Sequence, residues 1–326
     1  GTIGVYFHEQ WFEITTYRSE ESYSDFRRPD QVKFVKHLNE DLIRRDFTIN
    51  AMALNAEGKI IDIVDGQRDL KDKLIRCVGD PLVRFQEDAL RILRALRFGA
   101  NLNFQIEETT ALAIHQKAKL ITFVSIERIV MEFQKILQAK KCAYLLTEFK
   151  DVFECFIPEM NLLSEHEINH IDACENLSQK LVWLYQKAEV DSLALAYKQL
   201  RLSTQTLTFL LNIRTIMDTT IKSDYDLKKC LSQYPVNEIK DGLSLQVLLN
   251  KIEQTDEIFN RFERLYLSNP VVSLKQCDIR GQDLFDCGLK ERQISDMLEL
   301  ILDEIMKGQL ENKKDVILDF VKRMKP

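Results

Sequence analysis

At 326 residues the chain can bury a large core and hold two or more domains, and 45% hydrophobic with 29% charged residues is the make-up of a soluble globular protein. Only 10 Gly and 6 Pro disfavour a turn-rich all-β architecture and favour helices. No stretch nears the roughly 18 to 20 apolar residues a membrane span needs, no signal-peptide pattern opens the chain, and a net charge of -6 decides little about partners, since a basic groove can sit on an acidic protein.

Residues 1–17 read as a β-hairpin: Ile3, Val5 and Phe7 alternate, as do Phe12 and Ile14 against Glu13 and Thr15, with "HEQ" as the turn. The charged stretch "RSEESYSDFRRPDQ", residues 18–31, has no apolar period and reads as a mobile surface loop carrying Arg18, Arg27 and Arg28. Next comes "DLIRRDFTINAMALN", residues 41–55, where Arg44, Arg45 and Asp46 stand directly before an apolar run. One reading is an element start with Asp46, Thr48 and Asn50 as capping chemistry. The other is a ligand site, because two guanidiniums and a carboxylate suit a triphosphate and a sugar hydroxyl.

"AMALN" and "KIIDIVD", joined across Gly58, give a second two-strand signal at 50–64. From about residue 67 helical period dominates. In "FQEDALRILRALRFG", Ala89, Ile92, Leu93 and Leu96 form one apolar stripe and Gly99 is the expected C-cap. Asp88 and Arg91 stand at i, i+3 and can touch, with Arg94 and Arg97 continuing the interval. This reads either as a salt-bridged solvent face or as a nucleotide site, since planar forks suit bases and phosphates. Residues 101–326 alternate amphipathic helices with polar breaks and contain no clean repeat.

"HEINH", residues 166–170, matches HExxH, but Glu165 and Asp172 flank it and no His follows, so zinc hydrolysis is not expected. No Walker A loop, GxGxxG turn or GxSxG elbow is present. The seven cysteines are odd in number, dispersed and without CxxC, which points to reduced thiols in a cytosolic protein.

Read in order, "RRDFTINAM" (44–52), "DIVDGQRDLKDKLIRCVGDP" (62–81), "EDALRILRALRF" (87–98) and "VSIERIVMEFQKIL" (124–137) resemble the ribose, hinge, template and neck motifs of the class II tRNA nucleotidyltransferases. These are the CCA-adding enzymes and their poly(A) polymerase relatives. "DIRGQDLFDCGL" (278–289) and "IMKGQLENKKDVILDFV" (305–321) are similar to the tail of bacterial CCA-adding enzymes.

The resemblance implies an α+β fold: a partial nucleotidyltransferase (polymerase-beta-like) β-sheet head at 1–66, then an elongated all-helical neck at 67–140, body at 141–250 and tRNA-binding tail at 251–326. It implies transfer of C, C and A from CTP and ATP to the tRNA 3′ end, with Mg2+, in the cytoplasm. The tRNA acceptor and TΨC arms would lie along the chain, and the 18–31 segment would be the element that switches from C to A addition. Arg44, Arg45, Asp46 and Asn50 would hold ribose and phosphates. Asp88 and Arg91 would read the base, and Arg94 and Arg97 would also be nucleotide-binding. Glu13 would be an acidic assistant. The family's metal-binding DxD is expected upstream of Gly1, so the chain is expected to be a partial one. Alternatives are a poly(A) polymerase, a CC- or A-adding specialist, and a non-catalytic tRNA-binding protein.

Overall fold

The computed structural model describes residues 2–23, 29–250 and 255–324. Contacts divide the chain into two compact units, Gly1–Ser203 and Thr204–Pro326. The division falls inside the stretch 141–250.

The first unit opens on a hairpin of β1 (Thr2–Phe7) and β2 (Gln10–Thr15). His8 and Glu9 make the two-residue turn with φ of 45° and 61°. Positive φ at both positions is the backbone sense that matches strand twist. The register pairs Val5 with Phe12 and Ile3 with Ile14 on one face, and Gly4 with Glu13 and Tyr6 with Trp11 on the other. Both faces are exposed along the whole hairpin, so the alternation marks register here and not half-burial.

The described parts of the stretch expected as a loop are strand: β3 (Arg18–Tyr23) pairs antiparallel with β4 (Pro29–Phe34). Their ladder is made by main-chain groups, which need no apolar period, so composition hid it. Arg27 and Arg28 lie outside the described residues. Helix α1 (Leu38–Ile43) follows, then a 3-10 turn at Thr48–Asn50 and the short pair β5 (Met52–Leu54) and β6 (Ile60–Asp62). Phe47, Ile49 and Ala51 enter the core, whereas Leu54 stays exposed.

Helix α2 (Gly66–Asp72) leads to β7 (Leu74–Ile75), which pairs in parallel with β8 (Gln105–Ile106). Strands of two residues are below any readable pattern. The "FQEDALRILRALRFG" segment is not one helix. It breaks between α3 (Pro81–Glu87) and α4 (Leu90–Leu102), because Asp88 is extended (φ -138°, ψ 103°) and its Oδ1 accepts from the Leu90 N–H at 3.1 Å.

Nor is Gly99 the C-cap. The helix runs on to Leu102 and ends at Asn103 in the left-handed region (φ 54°). Gly99 is there for close packing: a Cβ would meet Ile106 Cδ1 at 3.1 Å and the Phe104 carbonyl at 3.3 Å. After α5 (Glu108–Lys117), helix α6 (Ile126–Leu137) packs against α4.

The second unit is helical. Helices Thr204–Asp218 and Val236–Leu248 cross closely at Gly242, where a Cβ would lie 2.5 Å from Ile216 Cγ2. One apolar cluster gathers Ile216, Leu227, Leu243 and Phe262, and another gathers Ile279, Leu284, Ile301 and Val321. Among the described residues no helix is long and apolar enough to cross a membrane.

Candidate nucleotide-binding cavity

A cavity of about 880 Å³ opens in the first unit where β2, α1 and α4 come together. Its lining includes Glu13, Arg44, Arg45, Asp46, Asn50, Asp88, Arg91 and Arg94. Of the residues expected above to bind the nucleotide, Arg97 is missing from that wall.

The arginines at the end of α1 are aimed by one buried carboxylate, which the sequence reading passed over. Asp41 Oδ1 accepts from Arg44 Nη2 at 2.5 Å and from the Arg18 N–H at 3.2 Å, and its Oδ2 accepts from Arg45 Nη2 at 3.2 Å. Burial would raise the Asp41 pKa, but these donors outweigh it and hold the carboxyl below the usual carboxylate range. Arg44 Nε also donates to the Arg18 carbonyl at 2.9 Å, and Arg45 Nη1 to the Asn50 carbonyl at 3.1 Å. Both side chains are thus fixed from behind. The spacing of Asp41 to Arg44 and Arg45, i+3 and i+4, was the available signal.

Asp46 is buried and holds its own loop together. Its Oδ1 accepts from the Phe47 N–H at 2.9 Å and from Asn50 Nδ2 at 3.3 Å, while Oδ2 accepts from Arg94 Nε at 2.8 Å. Asp46 is not a helix cap: the 3-10 turn starts from Phe47 and has no side-chain cap, and the Asp46 carboxylate bonds the Phe47 N–H beside it instead. It ties the turn at 46–50 to α4 and leaves its carboxylate on the cavity wall.

On α4 the pairings differ from the expected ones. Arg91, only 8% exposed, turns its guanidinium to Glu87 and keeps only a main-chain bond, N–H to carbonyl at 3.0 Å, with Asp88. Its Nη1 donates to Glu87 Oε2 at 2.6 Å and its Nη2 to the Arg44 carbonyl at 3.2 Å. Glu87 also takes Arg84 Nη1 at 2.8 Å. Asp88 Oδ2 instead accepts one long hydrogen bond, 3.3 Å, from Arg128 Nη2 on α6. Arg128 Nη1 is buried without a partner, an expensive state that an acceptor in the cavity would relieve. Arg128 lies inside a stretch the sequence reading quoted but did not single out.

Arg97 turns away: its Nε donates to Glu132 Oε2 on α6 at 2.5 Å, and its guanidinium lies 4.0 Å from the Phe98 ring centre. The structure makes it a packing residue between helices.

Among the described residues no group of three or more His, Cys, Asp or Glu is placed to hold a metal ion. Glu13 contributes one carboxylate to the cavity wall. "HEINH" forms a short helix, Glu165–Asn169, whose Ser164 and Glu167 make a capping box. There His170 Nδ1 lies 2.8 Å from the His166 carbonyl, and Glu167 is paired with Lys187. None of the seven cysteines forms a disulfide, and burial pushes the pKa of Cys77 and Cys142 up to about 12, leaving them as inert thiols.

Comparison with known proteins fits this geometry. The Poly A polymerase head domain family matches residues 1–76, and the family described as "Probable RNA and SrmB- binding site of polymerase A" matches 103–162. A CCA-adding enzyme of Ligilactobacillus salivarius is 33% identical over 99% of this chain and 81% of its own length. The solved CCA-adding enzyme of Bacillus stearothermophilus in complex with CTP is 25% identical, covers 99% of this chain and 81% of that one, and superposes with a TM-score of 0.75. The Thermotoga maritima CCA-adding enzyme complexed with tRNA shares the fold over 88% of this chain and 74% of that one, with a TM-score of 0.61 at 23% identity.

Proposed function

The chain belongs to the family of CCA-adding enzymes, and from that premise we propose that it adds C, C and A to the tRNA 3′ end from CTP and ATP without a nucleic-acid template. The observation that carries the reading is the single cavity into which the turn at 44–50 and the break at Asp88 both open. One wall offers guanidiniums and a carboxylate for triphosphate and ribose, and the other offers an acceptor beside donors for a base edge.

Cytosine and adenine both present an amino donor next to a ring-nitrogen acceptor. Asp88 accepts from the amino group and Arg91 donates to the ring nitrogen. Uracil and guanine present the opposite polarity there and leave buried polar groups unpaired, a penalty of a few kcal/mol. The break in the helix matters to this role. It takes Asp88 out of the i, i+3 pair with Arg91, so the carboxylate and the guanidinium are anchored separately, to Arg128 and Glu87, and do not satisfy each other.

Asp46, Asn50, Arg44 and Arg45 hold the ribose and phosphates, with Arg94 clamping Asp46. Glu13 faces the reacting end. Reaction joins the RNA 3′ oxygen to the α-phosphorus and releases pyrophosphate. Nucleotidyl transfer in this family uses a divalent cation, for which we propose Mg2+. The described residues do not by themselves make a site for it.

The remainder of the proposal is that 1–66 is the head, 67–140 the neck, 141–250 the body and 251–326 the tRNA-binding tail, acting in the cytoplasm. The test is to incubate the protein with Mg2+, CTP, ATP and a tRNA lacking its 3′ end, and to resolve products at single-nucleotide length. Growth by three residues as CCA supports the reading. CTP bound without growth favours the non-catalytic tRNA-binding alternative.

A further inference from the structure

We propose that Tyr6 and Trp11, at the outer end of the β1–β2 hairpin, are the stacking platform for the unpaired 3′-terminal bases of the RNA being extended. The inference rests on the nucleotidyl-transfer reading and adds a subsite to it.

The argument starts from strand periodicity. In β2, Trp11, Glu13 and Thr15 recur every second residue, so they share one face. Glu13 and Thr15 line the nucleotide cavity. Trp11 continues that line two residues beyond Glu13, about 7 Å along the strand, which is roughly two stacked-base steps.

Tyr6 is directly opposite Trp11, with ring centres 5.3 Å apart. Both are open to solvent, Trp11 74% and Tyr6 60% exposed. The ring of Trp11 lies over β1 at Gly4, where a Cβ would already meet the indole at 3.3 Å. Glycine at that position therefore lets the indole lie down on the strand and present its other face outward.

The two faces of the hairpin differ in kind. The far face carries Ile3, Val5, Phe12 and Ile14, shapes suited to packing against protein. The cavity face carries rings with polar edges beside small residues and Glu13. Exposed rings continuous with a nucleotide cavity are what single-stranded nucleic acid stacks on, because every base has a π-face. On this proposal the bases that precede a terminal ribose at Glu13 lie along this line.

The chain has two tryptophans, and Trp183 is buried with its Nε1 donating to the Glu167 carbonyl at 2.7 Å. Emission lost on Trp11→Phe therefore isolates Trp11. The probe is an RNA hairpin with three unpaired 3′ nucleotides, compared with the same hairpin whose three 3′ sugars are abasic. The inference expects the first RNA to quench Trp11 emission and the abasic RNA to leave it unquenched. Trp11→Ala should weaken binding of the first RNA about fivefold or more, and Trp11→Phe, which keeps a ring, should stay near the unaltered protein.

Trp11 emission already blue-shifted and indifferent to RNA would mean that protein covers this face, and would overturn the inference. Equal quenching by the abasic RNA would also overturn it. CTP titration of the same samples reads the nucleotide site separately. CTP bound without a base-dependent quench defeats only this inference, while no CTP binding by the unaltered protein defeats the reading beneath it.

Discussion

Replacing Arg97 by alanine separates packing from nucleotide binding. Arg97 and Glu132 are paired at 2.5 Å with side chains 15% and 9% exposed, so the substitution strands a carboxylate between α4 and α6. Breaking a buried pair by removing one partner costs about 3 to 5 kcal/mol, and the residual exposure of both groups argues for the lower end, about 3 kcal/mol. For a unit of roughly 200 residues, each kcal/mol moves the melting temperature by about 2 to 4 °C, so a fall of about 6 to 12 °C is expected. CTP affinity, measured by calorimetry well below that melt, should be unchanged, because the side chain faces α6 and is absent from the cavity wall. Arg94→Ala is the matched control. It also breaks an arginine–carboxylate pair, with Asp46, but inside the cavity, and it should lower CTP affinity. Converting the outer pair to Arg97→Met with Glu132→Leu should restore stability to within about 1 kcal/mol, since well-packed apolar residues commonly replace a buried ion pair without loss. A tenfold loss of CTP affinity in Arg97→Ala with an unaltered melt would refute the assignment.

Asp88→Ala should let UTP compete with CTP in single-nucleotide incorporation while tRNA binding holds; unchanged selectivity would remove Asp88 from base reading. Asp46→Ala should raise the apparent binding constants of CTP and ATP together, and loss of one base alone would contradict a ribose role. Asp41 has a depressed pKa in the fold, so its stabilisation is fully present above the unfolded value of about 3.9 and disappears as pH falls through the lower folded value. Melts of the unaltered protein and Asp41→Asn should therefore differ at pH 7 and begin to draw together only as pH falls below about 4, towards the lower folded value; a constant gap would show that Asp41 contributes through shape alone. Gly66→Ala should cost about 2 kcal/mol or more, because the new methyl would sit inside the contact distance of the Thr48 carbonyl, which cannot move without disturbing the 3-10 turn beside Asp46. A melt within about 1 °C of the unaltered protein would show that the turn yields.

The parts of the site that were legible in the sequence are those whose chemistry is local. Arg44, Arg45, Asp46 and Asn50 stand within seven residues, and the apolar run behind them had to enter the core, so their grouping needed no tertiary knowledge. The clasp of Arg94 on Asp46 spans 48 positions, and that of Arg128 on Asp88 spans 40. No periodicity predicts which distant carboxylate an arginine finds. The 18–31 segment was misread for a related reason. Apolar alternation reports burial, and β3 and β4 are a pair held by main-chain bonds, so the property that makes strands visible is absent there.

Arg97 was a different kind of miss, because helix geometry alone could have corrected it. A step of three residues turns a helix by about 300°, so each successive member of an i, i+3 series lags by about 60°. Arg94 stays within about 60° of Arg91, which a long side chain can span, and both reach the cavity. Arg97 lags Arg91 by about 120° and must face another neighbour, which here is Glu132. Asp88 escapes the series altogether, because the chain is extended at that residue before α4 begins. An arginine row at constant spacing is thus a spiral on the helix and not a stripe, and only its first two members can serve one ligand. The residue that completes the wall beside Asp88 has to come from a second helix, and Arg128, with a buried donor still unsatisfied, is the one that α6 supplies.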